Sequence, residues 1–335
     1  MIASMSSIRS TMRAAWIDQR GPAEQIRIEP IRMPEPGPTD VLVQVKYAAV
    51  NPIDTFVRSG QYMTPLPFPF VVGRDLVGTV AAVGSSASPF KIGDVVWSNS
   101  LGHAGRQGCT SEYAVVAADR LYPLPDDVKP EVAVGAFHPA ASAYLAIIKH
   151  GQAQAGETVY IAGGAGHVGS AAIVTAARAG ARVMTSAAAA DQAYCRRLGA
   201  DVVLDYSDEH LVDEIRAAAP EGIHVHLDTS GRHDLHKAVG LIAHGGRVVL
   251  MAGLKARPEL PVGALYTRDA RLVGFAISNA SSADLQMAAN HVNQLLTEGT
   301  LKPRNLEILQ LSEVAEAHRR LESGAARGVR LIIKP

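Results

Sequence analysis

The sequence is poor in several features that mark particular classes of protein. Its 335 residues include only two cysteines, Cys109 and Cys195, which are too few and too far apart for a disulfide framework. Lys plus Arg and Asp plus Glu each total 32, so a formal net charge of zero offers no footprint for nucleic acid or an anionic membrane. No apolar run reaches the ~20 residues that a membrane span needs. These absences favour a soluble globular protein, and we expect it to be cytoplasmic.

The N-terminal segment, residues 1–11, also lacks the apolar core of a secretory signal. It is polar, whereas a better-patterned segment starts at Met12. We therefore predict that residues 1–11 are a disordered extension or reflect a misplaced start codon.

What the sequence does contain is a change of pattern near residue 130. Before it, Gly- and Pro-rich turns separate short β-type runs at 41–45, 77–83, 94–97 and 112–116, which predicts a mostly β domain. From residue 131, strand and helix patterns alternate, beginning with a predicted helix over 132–149. Such alternation predicts an α/β fold, in which right-handed crossovers build a doubly wound parallel sheet covered by helices on both faces.

A third pattern begins after residue 275. A long amphipathic helix at 282–298 precedes a short strand at 306–310, a helix at 312–323 and a final strand at 329–333. We expect this tail to return to the first domain. The predicted organisation is therefore a discontinuous β-rich domain, residues 12–130 and 277–335, into which a Rossmann-type domain, residues 131–276, is inserted.

A glycine-rich turn comes directly after the first predicted strand of the second domain. Gly164, Gly166 and Gly169 form the pattern G-x-G-x-x-G after the strand at 158–162. Gly164 allows a tight turn, Gly166 lets the backbone approach a pyrophosphate, and Gly169 lets the helix pack closely on the strand. The helix N-terminus supplies N–H groups for the phosphates. A dinucleotide site is predicted, although an ordinary glycine-rich turn, an FAD site and an S-adenosylmethionine site share this pattern.

The end of the second strand bears on the choice of cofactor. NAD-specific sites usually place an acid there to bind the ribose 2′-hydroxyl. Here Thr185 and Ser186 are followed by alanines, and no acid occurs before Asp191. We therefore predict NADPH as the cofactor. NADH remains the alternative, because no Lys or Arg directly follows Ser186.

The sequence from Met12 onward resembles the zeta-crystallin-like NAD(P)H:quinone oxidoreductases, a zinc-free branch of the medium-chain dehydrogenase/reductase superfamily. The resemblance rests on the glycine-rich turn and on motifs at 51–54, 58–62, 91–94, 198–201, 244–248 and 315–321. It implies a GroES-like domain plus a Rossmann domain, an active site in the cleft between them, and a homodimer formed through the edge of the Rossmann sheet.

The resemblance also implies a set of cofactor contacts. They are Asn51 and Ser142 near the nicotinamide; Gly164, Ala165, Gly166, His167, Val168 and Gly169 along the pyrophosphate; Thr185, Ser186 and Tyr206 at the adenosine; Met251, Ala252, Gly253 and Leu254 after the fifth strand; and Phe275, Ala276 and Ile277 at the nicotinamide amide. Arg330 is added to the predicted cofactor contacts, because it stands beside Val329, the position at which the family often has Lys. The helix after Ser186 lacks the Lys that is usual in this branch.

A catalytic zinc site would need about three Cys, His or carboxylate ligands. The positions of two zinc ligands in the alcohol dehydrogenases correspond here to Asn51 and Arg74, and two cysteines cannot form a four-cysteine structural site. The sequence therefore predicts no metal.

Without a metal, hydrogen bonds must polarise the substrate, while the cofactor supplies the hydride. Tyr62 is the predicted donor to the developing oxyanion, with Asn51 as an orienting donor. Alternatively, water is the proton donor and Tyr62 only lines the pocket. Phe56 departs from the family, which often has Tyr there.

The segment from Ser100 to Thr110 is longer and more polar than is usual in this branch, and its glycines predict a mobile loop. We hypothesise that His103 and Arg106 reach the mouth of the substrate site and favour a polar or acidic substrate. The alternative is a solvated surface loop.

The predicted function is zinc-independent, NADPH-dependent transfer of hydride to a quinone. The first alternative is reduction of an activated C=C bond in an enal, enone or acrylate, which needs the same cofactor and hydride geometry. The second is a nucleotide-binding protein with little catalysis. Retention of the glycine-rich turn and of Asn51 favours an enzyme.

Overall fold

A computed structural model describes residues 10–87 and 89–335 of the chain. It divides the chain into two compact units: unit 1 contains the residues up to His138 and Lys302–Pro335, and unit 2 contains Pro139–Leu301. These limits differ from the predicted ones at 131 and 277. Residues 1–9 of the predicted N-terminal extension lie outside the described residues.

The strands of both units are short to medium in length. In chain order they are β1 (Thr11–Ile17), β2 (Arg27–Arg32), β3 (Asp40–Ala49), β4 (Phe70–Val71), β5 (Asp75–Val83), β6 (Val95–Ser98), β7 (Tyr113–Ala117), β8 (Tyr122–Pro123), β9 (Thr158–Ala162), β10 (Arg182–Ala187), β11 (Val202–Asp205), β12 (Ile223–Asp228), β13 (Ile242–Leu250), β14 (Arg271–Gly274), β15 (Leu306–Gln310) and β16 (Arg330–Lys334).

The helices lie mainly in unit 2. In chain order they are α1 (Pro52–Ser59), α2 (Pro130–Val134), α3 (Phe137–Tyr144), α4 (His167–Arg178), α5 (Gln192–Arg197), α6 (Leu211–Ala218), α7 (Leu235–Leu241), α8 (Val262–Tyr266), α9 (Ser282–Thr297) and α10 (Val314–Glu322), with a π-helix at Leu145–His150. Within the described ranges, none of the helices is both long and apolar enough to cross a membrane.

Unit 1 is a β-rich body that the C-terminal tail completes. Its larger sheet has the order β15-β16-β3-β5-β6-β8, with β7 pairing on β3, and a smaller sheet has the order β2-β1-β4. Strand β16 pairs antiparallel with β3 through Ile332–Ala49 and Ile333–Ala48. The predicted return to the β-rich domain is thus observed for β15, α10 and β16, whereas the helix predicted over 282–298 is α9 and lies in unit 2. The valines that alternate along β3, Val41, Val43 and Val45, are buried in the core, and each contributes roughly 1.5–3 kcal/mol on full burial.

Unit 2 contains a parallel sheet in the order β11-β10-β9-β12-β13-β14. Counted from β9, this is the Rossmann order 3-2-1-4-5-6, so the predicted fold class is confirmed. Strand β14 was not predicted because its residues are exposed or half-buried, which leaves no continuous apolar run to detect. Helix α9 also belongs to this unit: Arg178 Nη2 donates to Glu298 Oε1 at 3.0 Å, directly after the helix.

The helix predicted over 132–149 is wrong as a single element. The structure has α2, then a break at Gly135 and Ala136, then α3 and the π-helix. In the π-helix, Gly151 N donates to the carbonyl of Ala146 at 2.8 Å, an i to i+5 bond. An alanine-rich pattern is compatible with all these helices, so hydrophobic periodicity could not locate the break.

Candidate active site

The glycine-rich turn of unit 2 joins β9 to α4. Gly163 takes the left-handed conformation with φ of 81°, and the amides of Gly163 and Gly164 donate to the carbonyl of Ser186 at 3.1 and 3.0 Å. A Cβ at Gly164 would lie 2.1 Å from Thr185 Oγ1, and one at Gly169 would lie 2.2 Å from the carbonyl oxygen of Gly163. Gly163 therefore makes the tight turn that was predicted for Gly164, whereas Gly164 must be small because it contacts the neighbouring strand.

The N-terminus of α4 is suited to bind an anion. Gly166 is its N-cap, and no side chain caps the helix. A Cβ at Gly166 would meet only the carbonyl of Gly163, at 3.3 Å, so the backbone here is accessible from outside the turn. Uncapped N–H groups and the positive end of the helix dipole bind phosphate groups. The residues from Gly163 to Gly169 therefore fit the pyrophosphate of a dinucleotide.

The hydroxyls at the end of β10 are both engaged inside unit 2. Thr185 Oγ1 donates to the carbonyl of Ile161 at 2.6 Å, and Ser186 Oγ accepts a hydrogen bond from the Tyr160 hydroxyl at 3.0 Å. Both residues are buried, and as neighbours on a strand they point to opposite faces. Beyond the strand, the chain reaches the surface in the alanine run 188–190.

Other predicted cofactor residues follow the carboxyl ends of the parallel strands. Tyr206, 51% exposed, follows β11, and its amide donates to the carbonyl of Ala187 at 3.3 Å. Residues 251–254 follow β13, with Ala252 and Gly253 at positive φ, and residues 275–277 follow β14. Carboxyl ends of parallel strands share one edge, where such sheets bind ligands. The structure thus brings these segments to the same edge as the glycine-rich turn, while Ser142 lies buried in α3.

Unit 1 contains a buried cluster of charged and amide groups around Asn51. Asn51 Nδ2 donates to Asp75 Oδ2 at 3.1 Å, and Asn51 Oδ1 accepts a hydrogen bond from Arg330 Nη2 at 3.0 Å. Asn51 N donates to Asp54 Oδ2 at 2.8 Å, which caps the start of α1. Because one neighbour is an acceptor and the other a donor, the orientation of the Asn51 carboxamide is fixed. Arg330 is only 3% exposed.

Burial changes the titration of this cluster. Desolvation raises the pKa of Asp54 to about 6, opposed mainly by the charge of Arg74. Desolvation and the neighbouring Asp54 raise the pKa of Asp75 to about 7, opposed by Arg330 and Arg74. His138 Nδ1 lies 3.9 Å from Asp75 Oδ1, and burial lowers the pKa of His138 well below its ordinary value. The cluster therefore holds the Asn51 carboxamide between an acceptor, Asp75, and a cationic donor, Arg330.

Sequence reasoning singled out Asn51 and Arg330 but not the acids between them. Asp54 could have been found, because an acid three residues after an N-cap residue is the signature of a capping box. Asp75 is 24 residues from Asn51 in the chain, and no local spacing connects the two.

Tyr62 is half-buried and packs against the core of unit 1 beside α1. Its ring lies 5.9 Å from the ring of His103, centroid to centroid. The loop that carries His103 is attached to the segment after Tyr62: Ala104 N donates to Thr64 Oγ1 at 2.9 Å, and Gly105 N donates to the carbonyl of Pro65 at 3.0 Å. His103 and Arg106 are half-buried rather than fully solvated.

Two family descriptions match the two parts of the chain. Residues 37–126 match the alcohol dehydrogenase GroES-like domain, and residues 168–294 match a family described as zinc-binding dehydrogenase. A GroES-like β-rich unit combined with a Rossmann sheet and its glycine-rich turn defines an oxidoreductase of the medium-chain dehydrogenase/reductase superfamily.

Within that superfamily, the chain belongs to the quinone oxidoreductase family. It is 30% identical to quinone oxidoreductase of Homo sapiens over 334 residues, which cover 98% of this chain and 99% of the relative. It is 29% identical to an NADPH-dependent alkenal/one oxidoreductase of Arabidopsis thaliana, over 98% of this chain and 81% of the relative. The predicted family and the prediction of an oxidoreductase are confirmed.

Solved structures agree with this assignment. An NAD-dependent alcohol dehydrogenase is similar with a TM-score of 0.86 at 28% identity, over 97% of this chain and 100% of that chain. Quinone oxidoreductase of Pseudomonas syringae gives 0.84 at 26% identity, with the same coverage of both chains. A mycobacterial protein in complex with NADPH gives 0.82 at 26% identity, again with that coverage.

Proposed function

We propose that this protein transfers hydride from NADPH to a quinone without the help of zinc. The observation that carries the proposal is the turn at 163–169, whose glycines keep the backbone accessible at an uncapped helix N-terminus. That arrangement is suited to the pyrophosphate of a dinucleotide. The quinone oxidoreductases among its relatives support the choice of acceptor.

The end of β10 supports NADPH. The run 187–190 contains only alanine, so no carboxylate there would repel a 2′-phosphate. The nearby Asp205, at the end of β11, already has hydrogen-bond partners. Its Oδ1 accepts hydrogen bonds from both the amide and the hydroxyl of Ser207. A similar mycobacterial structure holds NADPH. NADH is the alternative cofactor, since no guanidinium or ammonium directly follows Ser186.

The donor set in unit 1 does not suit zinc. No group of three His, Cys, Asp or Glu side chains that could hold a metal ion occurs in the described part of the chain. The guanidiniums of Arg74 and Arg330 are buried beside Asp54 and Asp75, and they would repel a dication. We therefore propose that the protein polarises its substrate through hydrogen bonds alone.

The roles of the side chains follow from this proposal. When bound, NADPH supplies the hydride. Tyr62 donates a hydrogen bond to the substrate oxygen on which negative charge develops, and Asn51, held by Asp75 and Arg330, helps to orient the reactants. Water as the proton donor is the alternative to Tyr62.

A second acceptor class is favoured by one relative. The Arabidopsis protein is an alkenal/one oxidoreductase and is nearly as similar as the quinone oxidoreductases. Hydride addition to an enal, enone or acrylate uses the same cofactor and develops charge on the same kind of oxygen. We retain this as the alternative function.

We also propose a cytoplasmic homodimer. Strand β14 ends the sheet of unit 2 and is exposed or half-buried along its length, and an edge strand of this kind is able to pair with another chain. The two cysteines are free and buried, as expected in a reducing compartment.

The experiment is the loss of NADPH absorbance with benzoquinone, naphthoquinone, an enal, an enone and an acrylate, with NADH in parallel. We expect turnover on quinones and a clear preference for NADPH. Turnover on enals or enones alone would identify the alternative function, and equal efficiency with NADH would contradict the cofactor assignment.

Tyr62→Phe should lower kcat about 100-fold, because the developing oxyanion loses its hydrogen-bond donor. Tyr266→Phe, at an exposed tyrosine of unit 2, is the control and should leave kcat unchanged. An unchanged kcat in Tyr62→Phe would leave water as the proton donor.

A further inference from the structure

The positive charges of three arginines act on one histidine of unit 1. His103 lies in the loop of residues 99–107, which we call the cationic loop. Burial and the charges of Arg74, Arg106 and Arg120 lower the pKa of His103 to about 4, so its ring is neutral at pH 7. Burial and the charges of Arg120 and Arg74 also lower the pKa of Arg106, and the charge of Asp119 opposes that shift.

The acids near these arginines do not balance them. Arg74 and the buried Arg330 face Asp54 and Asp75, and Arg106 faces Asp119. Arg120 adds a further positive charge beside Arg106. Because the pKa values of Asp54 and Asp75 are raised to about 6 and 7, part of the negative charge is lost near neutral pH. The region therefore has an excess of positive charge.

Polar atoms without partners lie in the same region. Ser98 Oγ, Asn99 Oδ1, Ser100 Oγ, His103 Nδ1 and Arg74 Nε are buried and make no hydrogen bond. Four of these residues, Ser98, Asn99, Ser100 and Arg74, are more than nine-tenths buried. Buried polar groups in native proteins are normally satisfied by protein, water or ligand. Several unpaired groups in one place therefore leave this region with hydrogen-bonding capacity for a further polar partner, either water or a ligand group.

The cationic loop is held in position before any ligand arrives. Arg106 Nε donates to the carbonyl of Ser100 at 3.1 Å, and Gln107 Nε2 donates to the carbonyls of Pro67 and Pro69 at 3.0 and 2.8 Å. Preorganisation of this kind lowers the entropy lost on binding.

We propose that the cationic loop and Arg120 form a subsite for an anionic group of the substrate, a carboxylate or sulfonate, next to Tyr62. Guanidinium groups pair with such anions through charge-assisted, often bidentate hydrogen bonds. The proposal rests on the proposed function, in which the reacting carbonyl lies beside Tyr62, whose ring is 5.9 Å from that of His103. The preferred substrate is then a quinone or activated alkene that carries an acid group.

The test compares naphthoquinone with naphthoquinone sulfonate as acceptors of hydride from NADPH. For Arg106→Gln and Arg120→Gln, we expect kcat/KM for the sulfonate to fall about tenfold, through KM, with little change for the neutral quinone. Arg32→Gln, at an arginine 85% exposed, is the control and should change neither. A ratio of the two kcat/KM values that stays at the wild-type level in both variants would overturn the subsite.

The wild-type protein distinguishes failure of the proposed function from failure of the proposed subsite. If it reduces neither quinone, binding of naphthoquinone sulfonate is measured by calorimetry instead. About tenfold weaker binding in Arg106→Gln than in wild type, and weaker binding at high salt, would support the subsite even so. Equal affinity of the wild type and Arg106→Gln would reject it.

Discussion

At the scale of single residues, Gly169 shows how little room the glycine-rich turn leaves. An added Cβ would lie 2.2 Å from the carbonyl oxygen of Gly163 and 2.9 Å from the Cα of Gly164. Both atoms belong to the main chain, so they cannot turn aside as a flexible side chain could. Gly240, in α7, is the opposite case, because a Cβ there would meet nothing within 4 Å.

We predict that Gly169→Ala lowers the free energy of unfolding by about 1–3 kcal/mol and weakens NADPH binding, because the turn must shift to admit the methyl group. Gly240→Ala should instead stabilise the protein by about 0.5–1 kcal/mol, since alanine is the better helix former. Urea unfolding followed by circular dichroism measures the stability of both variants, and NADPH fluorescence measures the affinity of Gly169→Ala for NADPH. Equal stability of the two variants would contradict the packing argument.

The sequence predicted the glycine-rich turn correctly because its spacing is local. The different roles of Gly163 and Gly164 could not be predicted, because Gly164 is constrained by its contact with Thr185 on another strand. Asn51 was found through family resemblance, yet its partner Arg330 is 279 residues away. Contacts of this range depend on the tertiary fold and leave no pattern in the chain.

At the scale of secondary-structure elements, Arg247 of β13 holds the end of the π-helix. Its Nε donates to the carbonyl of Gly151 at 2.7 Å, and its Nη2 donates to that of Gln152 at 2.8 Å. The guanidinium also pairs with Glu157 through both carboxylate oxygens, at 2.8 and 2.7 Å. One side chain, only 10% exposed, thus connects the sheet to the segment that leads into β9.

We predict that Arg247→Lys destabilises unit 2 by about 2–4 kcal/mol, because an ammonium cannot reproduce the planar set of donors and leaves buried carbonyls unpaired. Arg178→Lys is the matched control: Arg178 also pairs with a glutamate, Glu298, but both side chains are more than a third exposed. Its cost should stay below about 1 kcal/mol. Chemical denaturation of both variants gives the comparison, and a similar cost at the two positions would argue against the role of burial.

Elements were predictable where burial imposed a regular pattern. Strand β15 was predicted at its observed limits, and the alternation of strands and helices in unit 2 gave the parallel sheet. The π-helix and the break at Gly135 were missed because they depend on main-chain hydrogen bonds, not on the order of apolar side chains. Strand β14 was missed because an exposed edge strand shows little apolar periodicity.

At the scale of the whole molecule, several buried histidines contribute to the expected response to acid. Burial is the first cause of a lowered pKa at His103, His138, His226, His291 and His318. Such groups stay neutral in the folded state while the unfolded chain takes up protons below pH 6.5. Their contribution to stability is therefore present above that pH and is lost as the pH falls towards the folded-state pKa values. The raised pKa values of Asp54 and Asp75 have the opposite effect. The stability that these two acids contribute is lost as the pH rises through about 6 and 7.

His226 offers the clearest test, since burial lowers its pKa to about 4 and its ring lies 5.2 Å from that of Tyr160. We predict that His226→Phe, which keeps a ring but takes up no proton, reduces the loss of stability between pH 6.5 and about 4 by roughly 1.4 kcal/mol per pH unit. Urea unfolding by circular dichroism over this range gives the slope; tryptophan fluorescence would not, because Trp16 and Trp97 both lie in unit 1. His210→Gln, at an exposed ring, is the control, and parallel slopes for wild type and His226→Phe would refute the prediction.

The order of synthesis gives the discontinuity of unit 1 a kinetic consequence. Strand β3 emerges early, but β16, which pairs with it, and Arg330, which binds Asn51, are added only after all of unit 2. At about 5–20 residues per second, translation of residues 139–330 occupies about 10–40 s. During that interval the nascent chain holds Asp54 and Asp75 without the cation of Arg330, and Ala48 and Ala49 face an empty strand position. A ribosome paused before residue 330 would therefore carry a complete unit 2 and a unit 1 with one bare strand edge, the part of the chain that a chaperone would have to protect.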